Sequence, residues 1–341
     1  MPRRVIGAVL AAAMGATVLA GCGGGGSAGS GPTQSVDRGI QADLNQTGLE
    51  MAVRIQGSTS DLGRAGSLTP AQRQAILGST LIVSVRSAGS TPISRASAGS
   101  GANAFSIALT EGNDDLVDVR YIGDNLYARV QISQLAADYG VSGRSVSGFD
   151  SALSRAASVV SAARALEHGQ WISVNVPAAE TMVANQLHVS PDLLPQLNPA
   201  ELIGVVTAFF SGLEQSSKVT ASTSPLPYLL TVNERSFAAG LAQALASAPG
   251  VSLIPSADRL RSAAGSIGAN ATAKVDADVS NGRLDRLELP AQQFGKGSKA
   301  VVIMDITTNP SVTAPAGATP VDLAQVGGLL GQLVKGGTGG L

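Results

Sequence analysis

Cys22 is the only cysteine among 341 residues, and it closes the stretch Leu19-Ala20-Gly21-Cys22. That spacing matches the bacterial lipobox: small residues fit a peptidase groove, and a nucleophilic thiol at the cut takes a diacylglyceryl group. Upstream, Arg3 and Arg4 precede an uncharged run from Val5 to Ala20. A basic start followed by an apolar run has the layout of a secretory signal peptide. The run is short of the roughly 20 residues a spanning helix needs. The expectation is a signal peptide over residues 1–21 and lipidation at Cys22. The protein would then be anchored to the cell membrane, on its extracytoplasmic side, through its N-terminal diacylglyceryl-cysteine.

Other chemistry is sparse. His168 and His188 are the only histidines. With no cysteine after Cys22, zinc lacks ligands, and an intrachain disulfide is excluded. Gly25-Gly26-Ser27-Ala28-Gly29 matches G-x-S-x-G by letters, but it lies in a Gly/Ser tract rather than on a strand-to-helix turn. Asp276, Asp278 and Asn281-Gly282 resemble a calcium loop. The glycine falls one place late and the twelfth position is not Glu. Glu111, Asp114, Asp115 and Asp118 cluster in sequence and read as a solvated turn with strand faces. No catalytic residue, metal or cofactor is expected, and the chain is not read as an enzyme.

Composition narrows the rest. The net charge is −1, or −3 once Arg3 and Arg4 leave, with 21 basic against 24 acidic residues. That balance gives no basic excess for nucleic acid and no polybasic patch for anionic lipid. Apolar residues make up 44 % of the chain and aromatics 3 %, so the core must be aliphatic.

The elements that would position a site follow from periodicity. Residues 23 to about 38 read as a flexible tether reaching roughly 20–25 Å. Residues 22–44 are assigned to the lipidated cysteine and this tether, 45–310 to a folded domain, and 311–341 to a C-terminal helix (Val321–Leu333) with a Gly-rich tail. Strands are expected over 51–56, 81–87 and 104–110. A hairpin is expected over 115–132, turning at Gly123-Asp124-Asn125, with Leu116, Val119, Tyr121, Leu126, Tyr127 and Val130 as its apolar residues. A second hairpin, over 271–290, turns on Asn281-Gly282, and 300–308 pairs next. Between the two sets lie helices at 134–140, 151–169, 198–215 and 233–250. Strands, then helices, then strands argue for α+β: an antiparallel sheet with helices packed against one face, in which hairpins from both ends of the chain can build one curved sheet.

The Asn198–Gln215 helix is apolar nearly all round. Ile203, Val206, Phe210 and Leu213 form one stripe, and Leu202, Val205 and Phe209 a second. Such a helix is buried on more than one side or faces a cavity. Ile203, Val206, Phe209, Phe210 and Leu213 are the candidate apolar pocket wall.

Several stretches resemble the actinobacterial LppX/LprG-like cell-envelope lipoproteins: the Cys22 lipobox, "DVRYIGDNLYARVQISQLA", "GQWISV" and "AKVDADVSNGRLDRLELPAQQF". The resemblance covers residues 45 to 310 and implies a curved antiparallel sheet, a half-open β-barrel with helices packed on its concave face, a lipid-carrier fold whose hydrophobic cavity binds acylated lipid. The pocket residues above come from helical spacing, not from the resemblance. Three readings stay open: a lipoprotein that binds or shuttles an apolar lipid or glycolipid in the cell envelope, which leads; an interaction or scaffold lipoprotein with a filled core; and an envelope hydrolase, which needs a Ser or Asp near His168 or His188 in space. Protein partners are not specified by the sequence.

Overall fold

The computed structural model describes residues 31–62, 68–96, 103–139, 160–187, 199–223, 225–247, 262, 264–290 and 299–325. Cys22, the signal peptide, the 25–29 glycine-serine stretch and His188 lie outside them.

The strands are β1 (Gly48–Gln56), β2 (Ser79–Arg86), β3 (Ala104–Glu111), β4 (Asp114–Ile122), β5 (Asn125–Val130), β6 (Ile172–Asn175), β7 (Ser217–Ala221), β8 (Tyr228–Asn233), β9 (Thr272–Ser280), β10 (Arg283–Pro290), β11 (Val301–Thr308) and β12 (Thr319–Pro320). They form one curved, unclosed sheet in the order β12-β6-β5-β4-β3-β2-β1-β11-β10-β9-β8-β7. Neighbours pair antiparallel except β12 with β6, which run parallel. The first and last thirds of the chain meet where β1 pairs β11, so the sheet is built from both ends of the chain. The class is α+β, as expected.

The helices among the described residues are α1 (Pro32–Leu44), α2 (Pro70–Gly78), α3 (Ile132–Tyr139), α4 (Ser161–Glu167), α5 (Val176–Leu187), α6 (Pro199–Ser216) and α7 (Glu234–Ser247), with a 3-10 turn at Ile93–Arg95. The expected turns are present. Asn281 (φ 52°) and Gly282 (φ 74°) both take the left-handed conformation that a type I′ hairpin needs. Gly123-Asp124 closes β4 onto β5, with Ile122 opposite Asn125. Gly169, at φ 63°, follows α4.

Two boundaries are corrected. The tether expected through residue 44 ends earlier, because Pro32–Leu44 is helical, with Val36, Gly39, Ile40, Asp43 and Leu44 buried. Pro32 starts the helix at no hydrogen-bond cost, and Val36, Ile40 and Leu44 repeat at four-residue spacing on one face. A Cβ on Gly39 would lie 3.0 Å from the Leu284 nitrogen, so α1 rests backbone-close on the β9–β10 hairpin. Residues 311–320, expected to begin a C-terminal helical tail, instead cross the sheet and end in β12. The helix expected over Val321–Leu333 falls mostly outside the described residues.

Strand registers separate the two faces. On one face, Met51 lies opposite Val83 and Ile306, and Val53 opposite Leu81 and Met304. On the other, Asp305 lies between Arg54 and Arg286, at 3.1 and 2.6 Å. A bulge between Leu284 and Arg286 adds one residue, which lets Leu284 and Leu287 both face inward. Their exposures are 0 % and 5 %.

Candidate functional site: the inner face of the sheet

α1 and α6 cover the inner face together: α1 packs on β7, β9 and β10, and α6 spans the rest of the covered part. α6 packs against β2, β3, β8, α1, α7 and the 3-10 turn. Eighteen residues give about 27 Å of helix, and the five strand spacings from β8 to β2 take about 24 Å. One helix therefore bridges that part of the sheet and reaches little further.

All five residues proposed from helical spacing are buried. Ile203 and Phe210 are 0 % exposed, Val206 1 %, Leu213 3 % and Phe209 8 %. They belong to one apolar layer with Leu49, Met51, Val85, Leu230, Leu284 and others from the sheet. Phe209 meets Phe210 edge-on, with centroids 5.2 Å apart, and Phe237 of α7 at 6.1 Å. Edge-to-face geometry of this kind adds modestly to burial. The Phe237 ring lies beside Gly212 of α6, where a Cβ would sit in ordinary contact at 3.5 Å.

Burial changes along the inward rows. One row runs Ile172, Ala128, Val119, Ile107, Val83, Met51, Ile306. Its last three members are buried, and its first four are partly exposed. A parallel row runs Val130, Val117, Leu109, Leu81, Val53, Met304, Leu287. Again the last three are buried and the first four partly exposed. Along these two rows the inner face is closed from β1 to β10 and only half-covered from β3 to β6. At the rim of the closed part Ile55, Val302 and Leu289 are partly exposed as well. The half-covered part is a trough floored by Val117, Val119, Ala128, Val130, Ile107 and Ile172. At one end the floor meets a stacked pair, Phe105 and Tyr121, with centroids 5.8 Å apart. Burial, then the Asp124 and Glu180 charges, push the Tyr121 phenol above its ordinary range.

Helical spacing alone missed this trough. Strand alternation had flagged Val119, Tyr121, Leu126 and Val130, which do point inward. Leu116 and Tyr127, read with them, do not. Leu116 is the unpaired residue at a bulge between β3 and β4, and Tyr127 sits opposite Arg120 on the outer face.

The remaining polar candidates are dispersed. Asp118 binds Arg120 at 2.7 Å, Asp115 binds Arg129, and Glu111 faces Asp138. Burial first and the Asp138 charge next raise the Glu111 carboxyl above its usual range. His168 follows the last residue of α4. Among the described residues, no three His, Cys, Asp or Glu side chains converge as metal ligands, and no helix is long and apolar enough to cross a membrane.

No protein-family model and no curated protein matches the chain. Among solved structures, it is similar to the Mycobacterium tuberculosis lipoprotein LppX, at 13 % identity and a TM-score of 0.28, with 82 % of this chain and 97 % of that one covered. It is also similar to LprF from Mycobacterium bovis, at 9 % identity and a TM-score of 0.35, with 86 % of this chain and 100 % of that one covered.

Proposed function

We propose that this chain is a cell-envelope lipoprotein, anchored through diacylglyceryl-Cys22 on the extracytoplasmic side of the membrane, that binds or shuttles an apolar lipid or glycolipid. The supporting observation is the uneven cover of the inner face: packed beneath α1 and α6, and half-open over β3 to β6. Partly exposed aliphatic side chains in a concave setting suit an acyl chain, since ligand sites are mostly apolar with few polar anchors. Each methylene moved from water onto such a surface is worth about 0.8 kcal/mol. The reading includes no catalytic step. The experiment is lipid extraction from a soluble form lacking Cys22, followed by mass spectrometry. Co-purifying lipid supports the reading, and a protein free of lipid after expression in its own envelope overturns it.

A second reading, a scaffold lipoprotein with a filled core, draws on the 0–8 % exposure of the five α6 residues. It predicts that substitutions at Val119 or Ala128 leave lipid content unchanged.

A further inference from the structure

After β11 the chain does not turn back. Asn309, at φ 56°, anchors to β1 by donating its N–H to the Gly48 carbonyl at 2.9 Å. The next residue lies tight on that strand: a Cβ on Gly48 would fall 2.9 Å from Pro310 Cδ. Val312 is 8 % exposed. Arg120 Nη1 then donates to the Thr313 carbonyl at 3.1 Å. Tyr121 faces inward, so Arg120 lies on the outer face and the segment crosses that face. It ends by donating two backbone N–H groups to the far wing, Thr319 to Trp171 and Val321 to Ser173, each at 2.8 Å. Between Asn309 and Thr319 the segment runs without regular structure apart from a turn at Ala316-Gly317, where Gly317 takes φ 72°.

The landing point is reinforced. Trp171, the only tryptophan in the chain, has the Arg120 guanidinium 4.8 Å and the Arg129 guanidinium 5.0 Å from its ring centroid. Arg120 is itself held by Asp118, and Arg129 by Asp115. The strands joined here, β4 to β6, carry most of the trough floor on their opposite face.

We propose that residues 309–321 form a clasp that ties the β4–β6 wing to the centre of the sheet and thereby sets how freely an apolar ligand enters and leaves the trough. The ligand half of this rests on the function proposed above; the mechanical half does not. With the clasp held, the wing keeps its curvature. With it released, β6 keeps only its four-pair ladder with β5, while β5 stays paired to β4, and the β6 edge of the wing opens more often.

Two variants of the soluble form with Cys22 replaced by Ser test this in opposite directions. Thr319→Pro removes the N–H given to Trp171. Ser173→Cys with Pro320→Cys, a register pair, forms a disulfide across neighbouring strands within the usual Cα spacing. Hydrogen exchange by mass spectrometry reads residues 125–130 and 172–175, Trp171 emission reads the landing point, and dissociation of cis-parinaric acid reads the trough.

Thr319→Pro should speed exchange in both segments by about tenfold while β8 to β10 stay unchanged, as for a local opening. Its Trp171 emission should shift to the red. The oxidised disulfide should slow probe dissociation by about threefold or more, reversed by reductant, because affinity changes of this kind are felt in the off-rate. Unchanged exchange in both segments for folded Thr319→Pro overturns the clasp. Should that variant fail to fold, identical exchange of the oxidised and reduced double-cysteine protein overturns it instead. If no protein binds the probe, the lipid reading fails, and exchange alone decides the clasp.

Discussion

Asp43 and Leu284 stand 241 residues apart in the chain, yet the Asp43 carboxylate accepts the Leu284 backbone N–H at 3.0 Å. Leu284 stands at the edge of the β9–β10 bulge, and α1 delivers the acceptor. Asp43 is 1 % exposed, and its second carboxylate oxygen has no partner. Burial pushes its pKa up to about 6, against the lowering pull of the Leu284 N–H and of Arg283.

A pH dependence follows from that burial. A carboxyl whose folded pKa exceeds its unfolded value stabilises the fold below the unfolded pKa, near 4, and loses that contribution as pH rises through about 6. Asp37 titrates in the same window, raised to about 6 by burial first and the Glu214 charge second. Asp43→Asn keeps an acceptor for Leu284 and removes the charge. The variant should gain on the order of 1 kcal/mol over the parent between pH 4 and pH 7, measured as the difference between their urea-denaturation curves. A constant difference across that range would contradict the assignment.

Gly39→Ala tests the closeness of α1 to the sheet. Alanine favours helix by about 1 kcal/mol over glycine, but here its Cβ meets the Leu284 nitrogen at 3.0 Å and the Arg283 carbonyl carbon at 3.2 Å, both backbone. Neither can swing aside. The expected outcome is a net loss of about 1–3 kcal/mol, read by chemical denaturation.

Phe210→Ala and Val119→Asp separate core from trough. Phe210 is wholly buried, and its truncation should cost about 3–5 kcal/mol. Val119 is only partly exposed, so a carboxylate there should lower stability by about 1–3 kcal/mol, less than the loss at Phe210. Thermal melting ranks the two.

Thr69 caps α2 in a capping box. Its hydroxyl accepts the Gln72 N–H at 3.2 Å, and the Gln72 side chain returns to the Thr69 N–H at 2.9 Å. Thr69→Ala should cost about 1 kcal/mol, measurable by the same denaturation and without effect on any ligand.

Local signals in the sequence identified much of the fold. Asn281-Gly282 specified a turn with positive φ at both residues, and Pro199 with Glu201 marked the start of α6. α1 escaped notice because Gly39 reads as flexible until its contact with Leu284 is seen, and because the glycine-serine composition just before it suggested a longer tether. β7 and β8 were hidden by the serines and prolines between them. The segment after Asn309 has no periodicity to read, since its partners, Gly48, Trp171 and Ser173, are fixed by topology alone. The apolar stripe of α6 was legible as apolar. Which inward side chains it leaves uncovered depends on where a helix of about 27 Å lies across a twelve-stranded sheet, and no local pattern encodes that.

The account turns on the half-covered face over β3 to β6 holding lipid. The most direct measurement is mass spectrometry of lipid extracted from the soluble Cys22→Ser protein and from the same protein carrying Val119→Asp with Ala128→Asp, both expressed in their own envelope. A defined lipid species bound to the first, and lost from the second while its fold persists, is the predicted result. Equal lipid in both, or none in the first, would contradict it.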